Sequence, residues 1–281
     1  MLIKKLLKGA HNRYNRYKLY QKNKTVLSLN KDLKNLKAGK RCFILGNGPS
    51  IKKQYILKLK NEETFVVNNF WNHENYKKFH PKHYVFIDTN AFTDSDNFWK
   101  DGFVANASLL SSVPTHFFFH IDSKKMIEEK NLFPSSAINY LAFNGFFKEN
   151  LNFNTDISKI VPKPKNVIVA SIMVAAYMGF EEIYLLGCEH SFLANYDKHD
   201  VADHFYDPEY KIKNPEEARY YEPDPTVSYE TLVADTKLLF QNYRLLKTKL
   251  STERPKLKIY NATPCSFLDV FPYIKFEDIK L

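Results

Sequence analysis

The chain is poor in cysteine. Cys42, Cys188 and Cys265 are the only three in 281 residues, too few for a disulfide framework, which points to a reducing compartment. It also lacks a long hydrophobic run. The longest, around Val167–Met178, is shorter than the roughly 18 residues a membrane-crossing helix needs, and reads as a buried core helix. The first 24 residues hold neither an apolar h-region nor a small-residue cleavage site, so a cytoplasmic protein is expected. At 44% hydrophobic and 26% charged residues, the composition excludes a disordered or collagen-like chain.

Acidic residues are scarce in one stretch. Residues 1–40 hold twelve Lys/Arg and one acid, Asp32, giving that segment +11 of the net +10 and leaving −1 for residues 41–281. The reading is a basic arm (1–40) before a nearly neutral body (41–281). Leu2, Ile3, Leu6 and Leu7 share a helical face, with Lys4, Lys5 and Lys8 beside them. Tyr14, Tyr17 and Tyr20 recur every three residues among Arg13, Arg16 and Lys18. That pattern suits a helix lying in an anionic headgroup layer, so residues 1–24 are a candidate contact with the inner-membrane surface. It also suits a helix packed on its own domain. No nucleic-acid-binding motif appears elsewhere, and nucleic acid is not an expected partner.

The body reads as one α/β domain. Short apolar strands are expected at Arg41–Leu45, Thr64–Val67, His83–Ile87, His116–His120, Glu182–Leu186 and Lys258–Tyr260, with helices at Val167–Met178 and Tyr229–Leu250. The implied fold is a Rossmann-like, mostly parallel sheet with helices on both faces, a variant of the GT-A type. Ser191–Pro225 is polar, rich in Tyr, Asp and Pro and without a period, and is expected to be a mobile lid, about 191–225. Strand after strand ends in small or hydrogen-bonding residues. Gly46-Asn47-Gly48-Pro49-Ser50 follows the first, Asn68 the second, Asp88 the third and Gly187-Cys188-Glu189-His190 the later one. In an open α/β sheet the ligand lies beyond those ends, so a shared pocket is expected there. The GNGPS turn has neither GxGxxG nor Walker A spacing. Its glycines admit an anion close to the backbone and Ser50 sits where a helix would start; a simple tight turn capped by Ser50 fits equally well. Asn166 is a candidate N-cap for the apolar helix.

GNGPS, Asn68 and the block AAYMGFEEIYLLGCEH together resemble the bacterial sialyltransferases that extend lipooligosaccharide from a CMP-activated sugar. They also resemble the wider MptE-like domain superfamily, which includes 6-hydroxymethylpterin diphosphokinases and flagellin-modifying glycosyltransferases. The closing IYNATPCSFLDVFP resembles that superfamily's last strand and turn. The resemblance runs from about residue 41 to 275 and is patchy between 95 and 160. It implies a glycosyltransferase that moves an acidic sugar (sialic acid, Kdo or another nonulosonic acid) from a CMP-activated donor to a glycan or lipid-linked acceptor at the cell surface, with inversion and no metal or other cofactor. Asn47 and Asn68 take the family's nucleotide-contacting positions. The expected nucleotide site adds Gly46, Gly48, Ser50, Asp88, Asn166 and Gly187.

The chain departs from the family in three places. Asp88 stands where the family has a third asparagine. Glu189-His190-Ser191 replaces an acid-aromatic-Tyr run whose tyrosine holds the departing phosphate, so Tyr196, Tyr206 or Tyr210 of the lid is expected to substitute. The family's general-base histidine has no counterpart at Ser228–Glu230. His204, His190 and Glu230 are the candidates for that base, which must reach the acceptor hydroxyl at about 2.6–3.2 Å. Asp94-Ser95-Asp96 has the DxD spelling of a metal-dependent nucleotide-sugar transferase, and with Asp88 it is the carboxylate set that an ATP- and Mg²⁺-using pterin diphosphokinase would need. Either is the alternative reading. His190, His199 and His204 match no standard zinc spacing.

Overall fold

The structure is a computed structural model and describes residues 2–92, 98–195, 204–206 and 228–281. In chain order it runs α1 (Leu2–Ser28), β1 (Arg41–Leu45), β2 (Glu63–Val67), α2 (Tyr76–Phe79), β3 (His83–Phe86), α3 (Phe98–Ala105), α4 (Ala107–Ser111), β4 (His116–His120), α5 (Lys124–Glu129), β5 (Ile138–Leu141), α6 (Val167–Met178), β6 (Glu182–Leu186), α7 (Tyr229–Glu253) and β7 (Lys258–Asn261).

The strands form one sheet in the order β5-β4-β3-β2-β1-β6-β7, and every pairing is parallel. This is the expected Rossmann-like α/β architecture, with parallel pairing throughout rather than mostly. β5, with sequence INYL, was not among the expected strands.

Side chains along a strand alternate between the two faces, and both faces here are covered. Cys42, Ile44, Phe65, Val67, Val85, Ile183 and Leu185 point to one side and join α6 and α7 in a single core. All twelve residues of α6 are buried, as befits a helix that is apolar all round and lies between a sheet and a second helix. Asn166 caps it, accepting the Val169 N–H at 3.0 Å. Gly179 ends it at φ 101°, where a Cβ would come within 2.8 Å of the Asn35 backbone.

Phe43, Leu45, Val66, Tyr84, Phe86, Phe117 and Phe119 point the other way, into a core of aromatic rings covered by short helices and by α1. The stretch read as a basic arm is packed on this body from Arg16 onward. Arg16 donates to the Ile160 carbonyl at 2.6 Å, Leu27 is fully buried, and the buried Asn30 donates to the carbonyls of Tyr140 and Ile157. Among the described residues no helix is long and apolar enough to cross a membrane.

Candidate active site

In a parallel sheet all carboxyl ends share one edge. The chain leaves β1 toward β2 on one side and crosses back through α6 to place β6 on the other, so a crevice opens beyond β1 and β6. The two turns there are zipped together: Gly46 donates to the Leu186 carbonyl at 2.7 Å and Gly48 to the Gly187 carbonyl at 2.9 Å. A Cβ on Gly46 would collide with the Gly187 carbonyl, so the close approach requires glycine.

A cavity of about 670 Å³ opens at this edge. From the sequence-derived set it gathers Gly46, Asn47 and Gly48 after β1, Asn68 after β2, Asp88 after β3 and Gly187 with His190 after β6. Asn166, ahead of α6, and His204 also line it. Val167 and Ile168 of the first turn of α6 complete that wall; N–H groups in a first turn have no partner within their helix, and the helix dipole is positive there.

Among the described residues, two amide oxygens at the cavity find no partner. Asn47 spends its Nδ2 on the Val67 carbonyl at 3.2 Å, leaving Oδ1 buried without a partner. Asn68, at φ 43°, is held by the Tyr84 hydroxyl donating to its carbonyl, and its Oδ1 is likewise buried and unmatched. Buried polar atoms are rarely left so, and a ligand offering N–H or O–H donors would satisfy both.

Ser50 does not line the cavity. Its N–H is taken by the Glu189 carboxylate at 2.6 Å, and Glu189 rather than Ser50 faces the crevice. The chain's own carboxylate fills the position proposed for a ligand anion. Glu230 is exposed in the first turn of α7 and lies outside the lining, because Ser228 rather than a sheet edge starts that helix. Tyr206 stacks on the His204 ring at 5.1 Å instead of facing the cavity. Tyr196, Tyr210, Asp94 and Asp96 lie outside the described residues, as does most of the expected lid. Within that segment Phe205 is buried, donates its N–H to the Asn47 carbonyl at 2.8 Å and packs edge-on against Phe70.

His190 sits at φ 53° on the end of β6, and its Nε2 lies 2.9 Å from the Tyr243 hydroxyl. Asn166 holds the same hydroxyl, donating its Nδ2 to the oxygen at 3.1 Å and accepting from it through Oδ1 at 3.4 Å. Burial pushes the imidazole down to about 4. Neutral and a weak base at that pKa, His190 is suited to holding a hydrogen bond rather than to taking a proton.

Strand-end reasoning on the sequence stops short of two further residues. His120 and Asp122, after β4, line the same cavity, and the polar end of β4 carries the same signal as the others. His120 Nδ1 lies 3.1 Å from the Asp122 backbone nitrogen and 3.3 Å from the Asp122 carboxylate. Burial lowers its pKa, Asp122 opposes that and Lys163 adds to it. Lys163 and Lys165, also in the lining, come from a stretch without periodicity; Lys165 pairs with Asp235 at 2.6 Å. Among the described residues no three metal-ligating side chains converge.

No family model matches the chain, and no curated protein matches it in sequence. Among solved structures it is similar to the MAf glycosyltransferase from Magnetospirillum magneticum AMB-1, with a TM-score of 0.51 and 12% identity over 91% of this chain and 39% of that one. The chain thus spans about two fifths of that neighbour's length. At this identity the likeness shows the fold: a Rossmann-like α/β sheet of the kind found in a glycosyltransferase.

Proposed function

We propose that the protein is a glycosyltransferase that moves an acidic sugar from a CMP-activated donor to a cell-surface glycan or lipid-linked acceptor, inverting the anomeric centre without a metal. One observation carries the reading: the polar ends of β1, β2, β3, β4 and β6 and the first turn of α6 open into a single cavity. Core packing has no need of Asn, Asp and His at those positions, whereas a nucleotide sugar uses each.

In this reading the unmatched oxygens of Asn47 and Asn68 accept from the nucleoside, and Asp88 accepts from a ribose hydroxyl. Lys163 and the α6 amides hold the negative charge of donor and leaving phosphate, as preorganised donors do best where water is excluded. His204 takes the acceptor proton as the anomeric carbon gains oxocarbenium character, the new C–O bond forms and CMP departs. His190 orients the sugar by hydrogen bonding. Residues 41–281 form the transferase domain.

Thermal denaturation with CMP, CDP, UDP, GDP and ATP, each with and without Mg²⁺, tests the class. Stabilisation by CMP that ignores Mg²⁺ is expected. A Mg²⁺-dependent response to UDP or ATP with none to CMP would transfer the site to a metal-dependent sugar transferase or a diphosphokinase.

A further inference from the structure

We propose that the outward face of α1 docks on an anionic membrane surface. The helix is continuous over Leu2–Ser28, and successive residues advance by about 100°. Its body-facing positions are Arg16, Leu19, Tyr20, Asn23 and Leu27, all at least partly buried and spaced by three or four. Traced backward in the same phase, that face passes through Asn12, Gly9, Lys5 and Leu2, a single apolar residue rather than a stripe. The apolar positions of the first half, Ile3, Leu6, Leu7 and Ala10, fall instead in phase with Tyr14 and Tyr17. Those two tyrosines are 55% and 60% exposed on the side away from the sheet. One helix therefore carries two stripes whose centres lie about 120° apart, and the described packing engages the one that runs through Arg16, Leu19, Tyr20, Asn23 and Leu27.

The charge around the outward stripe names its partner. Leu2–Ser28 holds eight Lys/Arg and no acid. Arg13 and Lys24 border the stripe on one side, Lys18 and Lys22 on the other, and Lys18 lies over the Tyr14 ring at 5.2 Å. An apolar strip with basic borders and amphipathic tyrosines matches a headgroup layer of negative charge. A second copy of the helix would set like charges against each other, with no acids to pair them. A nucleic acid would use the lysines and leave the apolar strip unsatisfied.

The test is cosedimentation of the full chain with phosphatidylcholine vesicles, with and without phosphatidylglycerol. The expected result is pelleting with the anionic vesicles only, released by high salt as exposed charges are screened. Binding should be weakened at least about tenfold by Arg13→Glu/Lys18→Glu/Lys22→Glu, and also by Leu7→Asp/Tyr14→Asp, each with an unchanged melting temperature. Equal binding to neutral vesicles, no pelleting, or indifference to both variants and to salt would overturn the proposal. So would binding to polyuridylate that survives Leu7→Asp/Tyr14→Asp, or a dimer that this variant splits while vesicles fail to bind. Salt release and vesicle composition are read on the unmodified chain, so the proposal stays testable if a variant misfolds.

Discussion

The carboxylate of Glu189, after β6, accepts the backbone N–H of Ser50, after β1, at 2.6 Å. This contact joins the two turns at the reversal of the sheet, and the glycine at position 48 exists for it: a Cβ there would collide with the Glu189 side chain. Gly48→Ala should therefore destabilise the native chain more than it destabilises a Glu189→Ala background. Coupling between contacting residues is typically about 0.5–3 kcal/mol, and a double-mutant cycle by denaturant unfolding measures it. Strict additivity would mean that the two residues do not constrain each other.

His190 gives the fold a pH dependence whose sign follows from burial. Its folded pKa of about 4 lies below the ordinary 6.5, so the unfolded chain binds a proton that the folded chain refuses. The stabilising effect is complete above pH 6.5 and is lost as pH falls from there toward 4, amounting to about 3 kcal/mol at full extent. His73, His83, His116 and His120 are shifted in the same direction, also by burial first. Melting temperature should fall steadily below pH 6.5, and His190→Asn should flatten part of that slope. A profile level from pH 7 to 5 would contradict the burial seen here.

If His204 takes the acceptor proton, His204→Ala lowers the transfer rate by about 10²–10⁴ while CMP still stabilises the protein. His190→Ala should instead raise the donor's KM more than it lowers kcat, since a group that orients substrate is lost rather than a base. Single-turnover transfer beside donor hydrolysis separates the two. Equal loss in both variants would exchange or merge the roles.

Lys163→Ala should weaken CMP binding by about tenfold, near 1.4 kcal/mol, and leave cytidine binding almost unchanged. Calorimetric titration of both ligands reads the difference directly. A loss shared equally by cytidine would place the lysine against the nucleoside rather than the anion.

Much of this architecture is legible in the chain because local rules coincide there. RCFIL before GNGPS is an apolar strand meeting a glycine turn, and Asn166 before an all-apolar dodecamer announces both a cap and a buried helix. β5 is hidden because its partners are remote. Asn139 accepts from His116 at 2.6 Å through its Oδ1 and donates to Asn30 at 2.7 Å, so a polar residue sits in a strand for reasons 109 residues away in sequence. The four short helices α2 to α5 escape for a related reason: helices of four to eight residues owe their stability to the rings they cover, not to propensity. At the site, strand-end polarity points to Asn47, Asn68, Asp88 and His190 because a single residue type at a strand terminus is a local signal. The removal of Ser50 by Glu189 is a contact across 139 positions, and the arrival of Lys163 depends on how residues 142–166 wrap back over the sheet.

The dodecamer α6 has no free surface, yet its first turn forms a wall of the cavity. Its height above β1, β2 and β3 is set by the volumes of the side chains wedged beneath it, because interiors are packed too densely to absorb a methyl group silently. Replacing Ala170 or Ala175, both buried in this helix, by a larger residue would shift the rod against its neighbours and with it the first turn that walls the cavity. The shape of the cavity is therefore adjustable from the interior, at positions outside its lining.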